Sequence, residues 1–554
     1  MSSEYRWYTP NSDTFMRRDG SYLLPGQTVD DRVSVICETA ERILKRPGFA
    51  RKFKSYFQKG WYSFSTPIWT NFGTDRGLPI SCYNTYVSDS IESLLGEAHA
   101  EVAMMTKMGG GTSIYLGDVR GRGSDIKGGK NGQSFGSVHF AGHYQSLIQT
   151  CSQGSTRRGN LAAYWPIDHP DIMEVLRIRT DGFYIQNLHY GLCVPDAWLE
   201  SMIAGDKKKR EIWAEVIRVR QNTGEPYILF IDNVNNALPQ WYKDHGLVVK
   251  SSNLCIETTP TSNEEESFVC DLSSMNILHY HEWKDTDAPE MMVYFLDAVA
   301  TEFIEKASGI RFMERAVRYA RRHRSLGIGW FGWHHFLQSN MVPFEGAEAK
   351  RLNVEVARTI QRKTAAASEQ MAKEYGEPEV TRGYGRRHAL LQAIAPTTSS
   401  SFIIGQASES IEPVLGNVEV KDLAKGKYTV VNPFLLKVLD AYGRNNQDVL
   451  DSILRQGGSV QHLDFLSERE KAVFKTFPEV NQLEVVQQAA QRQRYIDQGQ
   501  SLNVFLTPDV PAREINQLLL EGWRSGVKSF YYNKGLNAAQ RFTRNVLSCT
   551  SCEA

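Results

Sequence analysis

The chain has 554 residues, of which 63 are Lys or Arg and 63 are Asp or Glu, so its formal net charge is zero. This balance argues against binding to a nucleic-acid polymer, which usually requires a basic excess, and no apolar run approaches the roughly 18 residues that would span a membrane. The first residues lack the pattern of a secretion signal. We therefore expect a cytoplasmic protein whose eight cysteines serve catalysis or ligation rather than cross-linking.

Helices and strands are predicted to alternate through the first half of the chain. In chain order the apolar spacing predicts a helix pair over 28–58, a helix from residue 88, a strand at 112–116, a helix at 138–151, a strand at 161–165, a helix at 168–178, a strand near 184–193, a helix at 211–222 and a strand at 227–231. Such alternation indicates βαβ units and a parallel sheet with helices outside. Further on, 345–375 is predicted to be helical, and 536–554 to be a mobile tail.

The helix that begins near residue 88 carries a start signal. Ser88 or Asp89 can cap it, and Glu92 follows in the position that a capping box requires. The three glycines at 109–111 are predicted to end it. They are not a phosphate-binding P-loop, because no Gly-Lys-Ser/Thr follows them.

The segment Asn253-Leu254-Cys255-Ile256-Glu257 places an amide, a thiol and a carboxylate at alternate positions. If the segment is extended, these three side chains point to one face. Alone, Cys255 is more often a small buried apolar residue than a catalytic group. The catalytic interpretation of Cys255 is favoured by four other cysteines: the distant Cys82 and Cys270 and the C-terminal pair Cys549 and Cys552. Together the five cysteines suggest an enzyme that spends two electrons from thiols in each turnover and is then reduced again.

Five separated motifs resemble the large subunit of ribonucleotide reductase. They are the Cys255 segment, the flanking Cys82 and Cys270, Pro396-Thr397-Thr398-Ser399-Ser400, Ser410-Ile411-Glu412-Pro413, and Tyr531-Tyr532. The resemblance runs from about residue 60 to the C-terminus, in the family's order. The resemblance implies a ten-stranded α/β barrel at 76–535, made of two parallel five-stranded half-sheets around a central finger loop. A mainly helical region at 1–75 would precede it, and a redox tail at 536–554 would follow.

The resemblance also implies roles for the residues of the core site. Cys255 would become a thiyl radical that removes the 3′ hydrogen of a ribonucleotide. Glu257 would accept the proton of the 3′-hydroxyl, and Asn253 would hydrogen-bond the sugar hydroxyls. Cys82 and Cys270 would supply the two reducing equivalents and end as a disulfide.

The tail pair Cys549 and Cys552 has two further interpretations. It could be half of a zinc site, although no second ligand pair is visible in the sequence, or an inert tail. The resemblance instead implies a dithiol that exchanges with the internal disulfide and is itself reduced by thioredoxin or glutaredoxin.

A Tyr-Tyr pair is usually a packing feature. In this family Tyr531 and Tyr532 would mark class I, where stacked tyrosines carry a radical from a separate, metal-containing small subunit to the cysteine. No metal site is predicted in this chain itself. The alternatives are a class II enzyme that uses adenosylcobalamin and a non-catalytic, nucleotide-binding regulatory homologue. The intact Cys82, Cys255 and Glu257 argue against the second alternative.

The resemblance assigns two nucleotide sites. The diphosphate of the substrate, a ribonucleoside diphosphate, would lie on Pro396, Thr397, Thr398, Ser399 and Ser400, with Thr66 contributing and Ser81 nearby. A nucleoside triphosphate effector would bind Asp89, Ser90, Arg120 and Lys127 at the interface of a homodimer. Asp89 has a simpler interpretation as a helix cap. About 80 residues precede Cys82, and we therefore expect no N-terminal ATP-binding cone.

Overall fold

The computed structural model describes residues 4–18, 22–151, 159–423 and 426–535. Its strands are β1 (Tyr62–Phe64), β2 (Cys82–Tyr86), β3 (Gly111–Tyr115), β4 (Leu161–Pro166), β5 (His189–Val194), β6 (Tyr227–Phe230), β7 (Phe268–Asn276), β8 (Leu326–Phe331), β9 (Val418–Leu423), β10 (Gly426–Val431) and β11 (Ser529–Phe530).

Helices surround these strands and form most of the region before β2. They are α1 (Pro10–Arg17), α2 (Val29–Leu44), α3 (Phe49–Gln58), α4 (Thr66–Asn71), α5 (Ala98–Lys107), α6 (Ser137–Thr150), α7 (Ile172–Val175), α8 (Asp196–Ala204), α9 (Lys207–Thr223), α10 (Ile231–Asn236), α11 (Gln240–Asp244), α12 (Tyr280–Trp283), α13 (Ala288–Ala307), α14 (Glu314–His323), α15 (Trp333–Ser339), α16 (Ala347–Tyr375), α17 (Thr398–Ile403), α18 (Pro433–Ala441), α19 (Gln447–Arg455), α20 (Glu468–Val473), α21 (Gln482–Gln493) and α22 (Ala512–Arg524). In the described part of the chain, no helix is long and apolar enough to cross a membrane.

The first half-sheet consists of β2, β3, β4, β5 and β6, each parallel to the next. Helices α5, α6, and α8 with α9 connect successive strands on the outside, as βαβ units require. These strands are buried along nearly their whole length, which is the pattern of a parallel sheet covered on both faces.

The second half-sheet closes the first into a ring. Strand β7 runs antiparallel to β2 and parallel to β8, and parallel bridges then join Ile328 to Gln392, Ile394 to Gln500 and Val504 to Asn533. The last segment contains β11, which pairs antiparallel with β6. Ten segments therefore form the ring, five parallel ones in each half, as the fold prediction stated.

Most of the predicted elements are present with boundaries shifted by a few residues, but the region 168–188 differs. Only α7 is helical there, and the expected strand begins at His189. Arg179 has a left-handed φ of 62°, and its N–H donates to Ile185 O at 2.9 Å. This contact turns the chain back on itself, so that residues 184–188 form a loop before the strand.

The helix expected from residue 88 also begins differently. Its first turns form a π-helix over Glu92–Glu97, which leads into α5. The hydroxyl of Ser90, rather than Ser88 or Asp89, accepts the N–H of Ser93 at 3.2 Å. The Asp89 carboxylate is unavailable as a cap because Arg120 binds it at 2.6 Å.

Candidate active site

Two of the predicted redox cysteines face each other across neighbouring strands. Cys82 on β2 is the direct antiparallel partner of Cys270 on β7, and both are buried. Directly opposed antiparallel residues have Cα atoms about 4.5–5.5 Å apart, which lies within the range of about 4.4–6.8 Å found in disulfides. The strand pairing thus places these two sulfur atoms where a disulfide can form without a change of backbone.

The surroundings of Cys270 keep its thiol protonated. Burial is the main cause that raises its pKa well above the usual value, and the nearby Cys82 and Glu257 add to it. The neighbour on β8 is Gly327, where an added Cβ would lie 2.9 Å from Cys270 Sγ. A glycine is therefore needed at this position to leave room for the sulfur.

The finger loop that carries Cys255 crosses the interior of the ring. On one side, the Tyr164 hydroxyl of β4 donates to Asn253 O at 2.6 Å. On the other, Ser501 Oγ donates to Cys255 O at 2.6 Å and Gly499 N donates to Glu257 O at 2.7 Å. The loop is thus tied to both half-sheets.

The loop is a turn and not the extended segment that the alternate spacing suggested. Ile256 N donates to Asn253 O at 3.2 Å, and Ile256 has a left-handed φ of 64°. The turn brings Asn253 and Glu257 together, with Asn253 Nδ2 donating to Glu257 Oε1 at 2.9 Å. Cys255 lies between them at the tip of the turn.

Glu257 is fully buried, and its carboxylate is held by two polar groups. Asn253 Nδ2 bonds one oxygen, as described, and also lies 3.3 Å from Cys82 Sγ. Ser501 Oγ lies 3.2 Å from the other oxygen. Burial raises the pKa of Glu257 to about 7, although its hydrogen bonds act in the opposite direction. A carboxylate with a pKa near neutrality can both accept and return a proton.

A pocket opens beside the loop. Its lining joins predicted catalytic residues to predicted phosphate-binding residues: Cys82, Cys255 and Glu257 with Thr66, Ser81, Pro396, Thr397 and Ser400. Four other predicted residues, Asn253, Cys270, Thr398 and Ser399, are outside this lining. Thr398 instead donates its hydroxyl to Glu409 Oε2 at 2.9 Å, while Asn253 contacts the pocket residues from behind.

Three buried hydroxyls in the pocket wall have no hydrogen-bond partner among the described residues. They belong to Ser65, Ser81 and Ser273. A buried hydroxyl without a partner costs about 1–3 kcal/mol, so these groups are poised for a polar ligand. Sequence reasoning did not single out Ser65 or Ser273. The Ser-Thr-Pro motif around Thr66 contained a signal for Ser65, but nothing local marks Ser273.

The tyrosine pair lies on the other side of the loop. The rings of Tyr531 and Tyr532 have centroids 4.2 Å apart and planes inclined by 51°, so they are in contact but tilted rather than stacked. Tyr531 belongs to a buried apolar cluster with Leu254 and Ile256, against which Cys255 packs.

A third tyrosine, which sequence reasoning missed, contacts both members of this pair. The ring centroid of Tyr227 lies 4.7 Å from that of Tyr531 and 5.1 Å from that of Tyr532. Its hydroxyl donates to the Tyr532 hydroxyl at 2.7 Å. No sequence motif connects position 227 with position 531, and only the pairing of β6 with β11 brings them together.

The predicted effector residues lie away from this pocket. Arg120 Nε donates to Asp89 Oδ2 at 2.6 Å, and Arg120 Nη1 donates to Asp125 O at 2.9 Å. Ser90 caps the adjacent helix, as described, and Lys127 is exposed. The structure brings Asp89, Ser90 and Arg120 together.

The remaining predicted site residues, Cys549 and Cys552, lie outside the described residues. Within the described ranges, no group of three or more His, Cys, Asp or Glu side chains is arranged to hold a metal ion.

Comparison with known proteins identifies the family. The profile described as "Ribonucleotide reductase, barrel domain" matches residues 80–209, 200–382 and 379–533. The putative ribonucleoside-diphosphate reductase large subunit of Frog virus 3 is 35% identical over 536 residues, covering 92% of this chain and 93% of that protein. The ribonucleoside-diphosphate reductase large subunit of Invertebrate iridescent virus 3 is 32% identical over 560 residues, covering 87% of each chain.

A solved structure supports the same assignment. The Actinobacillus ureae class Id ribonucleotide reductase alpha subunit superimposes with a TM-score of 0.91 at 47% sequence identity, covering 97% of this chain and 99% of that chain. The family and fold class that the motifs predicted are confirmed: the chain belongs to the ribonucleotide reductase large-subunit family and has the fold of a class I α subunit.

Proposed function

We propose that this chain is the catalytic subunit of a ribonucleoside-diphosphate reductase, which replaces the 2′-hydroxyl of a ribonucleotide by hydrogen. The observation that carries the proposal is the common pocket of Cys82, Cys255 and Glu257, with Cys270 directly opposite Cys82. A thiol for radical chemistry, a carboxylate for proton transfer and one thiol of the reducing pair line one pocket, and the second thiol of the pair lies behind the first.

In the proposed mechanism, a thiyl radical on Cys255 takes the hydrogen atom from the 3′ carbon. Glu257 accepts the proton of the 3′-hydroxyl, and the 2′-hydroxyl leaves as water after taking a proton from a thiol of the pair. Cys82 and Cys270 supply two electrons and two protons in total: one proton leaves with the water, one hydrogen atom goes to the 2′ carbon, the second electron goes to the 3′ carbonyl, and the pair ends as a disulfide. Glu257 returns its proton to the 3′ oxygen. The 3′ hydrogen then returns from Cys255, which regenerates the thiyl radical.

The unpartnered hydroxyls support a phosphate-binding role for the outer part of the pocket. Ser65, Ser81 and Ser273 can donate to phosphate oxygens, and hydrogen bonds to charged acceptors are stronger than those to neutral ones. Thr66, Thr397 and Ser400 line the same wall. We assign the diphosphate of the substrate to this wall, opposite the finger loop.

A class I large subunit works with a separate small subunit. We propose that this partner, which would contain the metal, supplies a radical that passes through Tyr532 and Tyr531 to Cys255. The separation of 4.2 Å between the ring centroids supports transfer between the two tyrosines. Tyr531 is the inner member because it belongs to the buried cluster of Leu254 and Ile256, whereas Tyr532 is only partly buried against that cluster.

We further propose that Cys549 and Cys552 reduce the Cys82–Cys270 disulfide by thiol–disulfide exchange, and that thioredoxin or glutaredoxin then reduces the tail. An internal disulfide between buried cysteines is poorly accessible to a large reductase, and a relay dithiol on the same chain removes this difficulty.

A nucleoside triphosphate effector and a homodimer are proposed at the surface near Asp89. Around α6, four large apolar side chains are exposed by 41–69%: Ile91, Leu95, Phe135 and Tyr184. Apolar groups exposed together in this way mark interaction surfaces. The Asp89–Arg120 ion pair borders them, and binding of a triphosphate there would require Arg120 to turn from the carboxylate to the phosphate.

The proposal is tested by measuring CDP reduction by the purified chain with a dithiol and an effector nucleotide. Parallel reactions contain the cognate small subunit, adenosylcobalamin, or neither. Turnover only with the small subunit is the expected result. Turnover with adenosylcobalamin alone would keep the cysteine chemistry but overturn the partner, and nucleotide binding without turnover in any reaction would indicate a non-catalytic homologue.

A further inference from the structure

The outer tyrosine of the pair is held by groups to which the mechanism above gives no role. Tyr227 on β6 contacts both rings of the pair, and its hydroxyl donates to the Tyr532 oxygen at 2.7 Å. Tyr227 is fully buried, so its hydroxyl has little freedom to move. Tyr227 therefore ties the pair to the first half-sheet, while Tyr531 and Tyr532 themselves lie on the second.

A histidine approaches the same phenol oxygen from the neighbouring strand. His189 on β5 is buried, and its Nδ1 lies 3.1 Å from the Tyr532 oxygen. The same nitrogen lies 2.8 Å from Glu225 Oε1, and Arg179 forms an ion pair of 3.5 Å with that carboxylate. Arg179 Nη1 also lies 3.0 Å from this nitrogen, so both members of the Arg179–Glu225 ion pair fix the position of the imidazole.

We propose that Tyr227 is a positioning residue that holds the phenol oxygen of Tyr532 by donating a hydrogen bond to it, with His189 packed against the same oxygen. Tyr227 keeps the Tyr532 ring at its contact distance from Tyr531 while Tyr532 loses and regains its hydroxyl hydrogen atom. This inference rests on the proposed relay role of Tyr531 and Tyr532 and adds the residues that fix its outer end.

The hydrogen-atom balance does not involve these groups. The radical of the small subunit takes one electron and one proton from the Tyr532 O–H, Tyr532 takes one hydrogen atom from Tyr531, and Tyr531 takes one from Cys255. Tyr227 keeps its proton throughout. Its donated hydrogen bond persists when Tyr532 is a neutral radical, because the Tyr532 oxygen remains an acceptor.

The first test needs neither the small subunit nor turnover. Fluorotyrosine is incorporated at position 532 of the full chain, and its phenol is titrated by ¹⁹F NMR. Tyr227→Phe removes one donor to the phenolate, and we expect the titration midpoint to rise by about one pH unit.

The chain contains a matched control for the Tyr227 substitution. Tyr242 lies in a similar group, with its hydroxyl 3.1 Å from that of Tyr319 and 3.1 Å from His323 Nδ1. Because these contacts do not involve Tyr532, Tyr242→Phe should leave the fluorotyrosine titration unchanged. Tyr227→Phe deletes a single hydroxyl and leaves the contacts of His189 with Arg179 and Glu225 in place.

The second test uses the holoenzyme with the cognate small subunit. Tyr227→Phe should lower turnover at least roughly tenfold at unchanged KM for CDP, since a small displacement of a reacting group costs that much or more. An unchanged titration midpoint in Tyr227→Phe, or wild-type turnover in that variant, would overturn the inference. If the wild-type chain itself does not reduce CDP, the proposed function fails while the titration still reports whether Tyr227 holds Tyr532.

Discussion

The two sides of the finger loop differ in chemistry. One side is polar: Asn253 and Glu257 are hydrogen-bonded to each other, Ser501 lies against the carboxylate, and Cys82 lies in the same wall. The other side is apolar, with Leu254, Ile256 and Tyr531 in one buried cluster. Cys255 belongs to both, because it lines the pocket and packs against the cluster.

In the proposed mechanism, this difference separates the path of the radical from the site of proton transfer. The apolar side would carry the hydrogen atom along the tyrosines. The polar side would hold the proton acceptor Glu257 and the reducing thiol Cys82 against the substrate. Substitutions on the two sides should therefore have separable effects, and a substitution at Cys255 should abolish both.

The largest effect is expected from Cys255→Ser, which removes the group shared by both sides. A serine O–H is too strong to be converted to a radical by a tyrosyl neighbour, so we expect no multiple turnover with the small subunit present, while the Kd for CDP stays within a factor of about two. The matched control is Cys193→Ser, because Cys193 is another buried cysteine of the barrel and its thiol donates a hydrogen bond to Lys250 O at 3.1 Å. Sustained turnover in Cys255→Ser would contradict the thiyl assignment.

The second-largest effect on turnover is expected from Tyr531→Phe, because this substitution alters only the apolar side of the finger loop. Phenylalanine fills the same space but cannot be oxidised by the small subunit, so turnover should be lost while CDP binding and the thiol content stay as in the wild type. Tyr144→Phe is the control, as Tyr144 is also buried and its hydroxyl donates to Leu94 O at 3.0 Å. Normal turnover in Tyr531→Phe would remove the argument for a tyrosine relay.

Glu257→Gln tests the polar side and should lower turnover by about 10²–10⁴-fold, the usual contribution of a positioned proton acceptor. Because burial raises the pKa of Glu257 to about 7, its accepting form is lost as the pH falls through that value. Wild-type turnover should therefore rise with pH up to about 7 and then level off, and the variant should lack this dependence. Glu101→Gln, another buried glutamate with a pKa raised by burial, should leave the profile unchanged.

The smallest effect is expected at the pocket wall. Ser81→Ala removes an unpartnered buried hydroxyl, so the free energy of unfolding should rise by about 1 kcal/mol while the affinity for CDP falls roughly tenfold. Ser63→Ala differs because the Ser63 hydroxyl already donates to Ser400 O at 2.9 Å, and its loss should destabilise the chain. Equal CDP affinity in wild type and Ser81→Ala, measured by calorimetry, would exclude Ser81 from phosphate binding.

Sequence reasoning reached the parts of the site that are local in the chain. The spacing of Asn253, Cys255 and Glu257 is visible in five residues, and the ten-stranded barrel followed from the family that the motifs resemble. The turn of the finger loop could not be predicted, because the left-handed Ile256 is stabilised by contacts with distant strands.

The residues that sequence reasoning missed depend on strand pairing over long separations. Tyr227 lies more than 300 residues from Tyr532 in the chain, and the antiparallel contact of β6 with β11 brings it near. Ser273 lines the pocket from strand β7, and a lone serine in a strand carries no local signal. His189 and Glu225 meet only because β5 and β6 are neighbours in the sheet.

The central claim is that Cys82 and Cys270 supply the two electrons that reduce each ribonucleotide. The most direct measurement is a single turnover of the prereduced Cys549→Ser, Cys552→Ser chain with the small subunit, CDP and no added reductant, followed by quenching and peptide mass spectrometry. The account predicts a Cys82–Cys270 disulfide in the same molar amount as the dCDP formed. Formation of dCDP while both thiols remain reduced would contradict it.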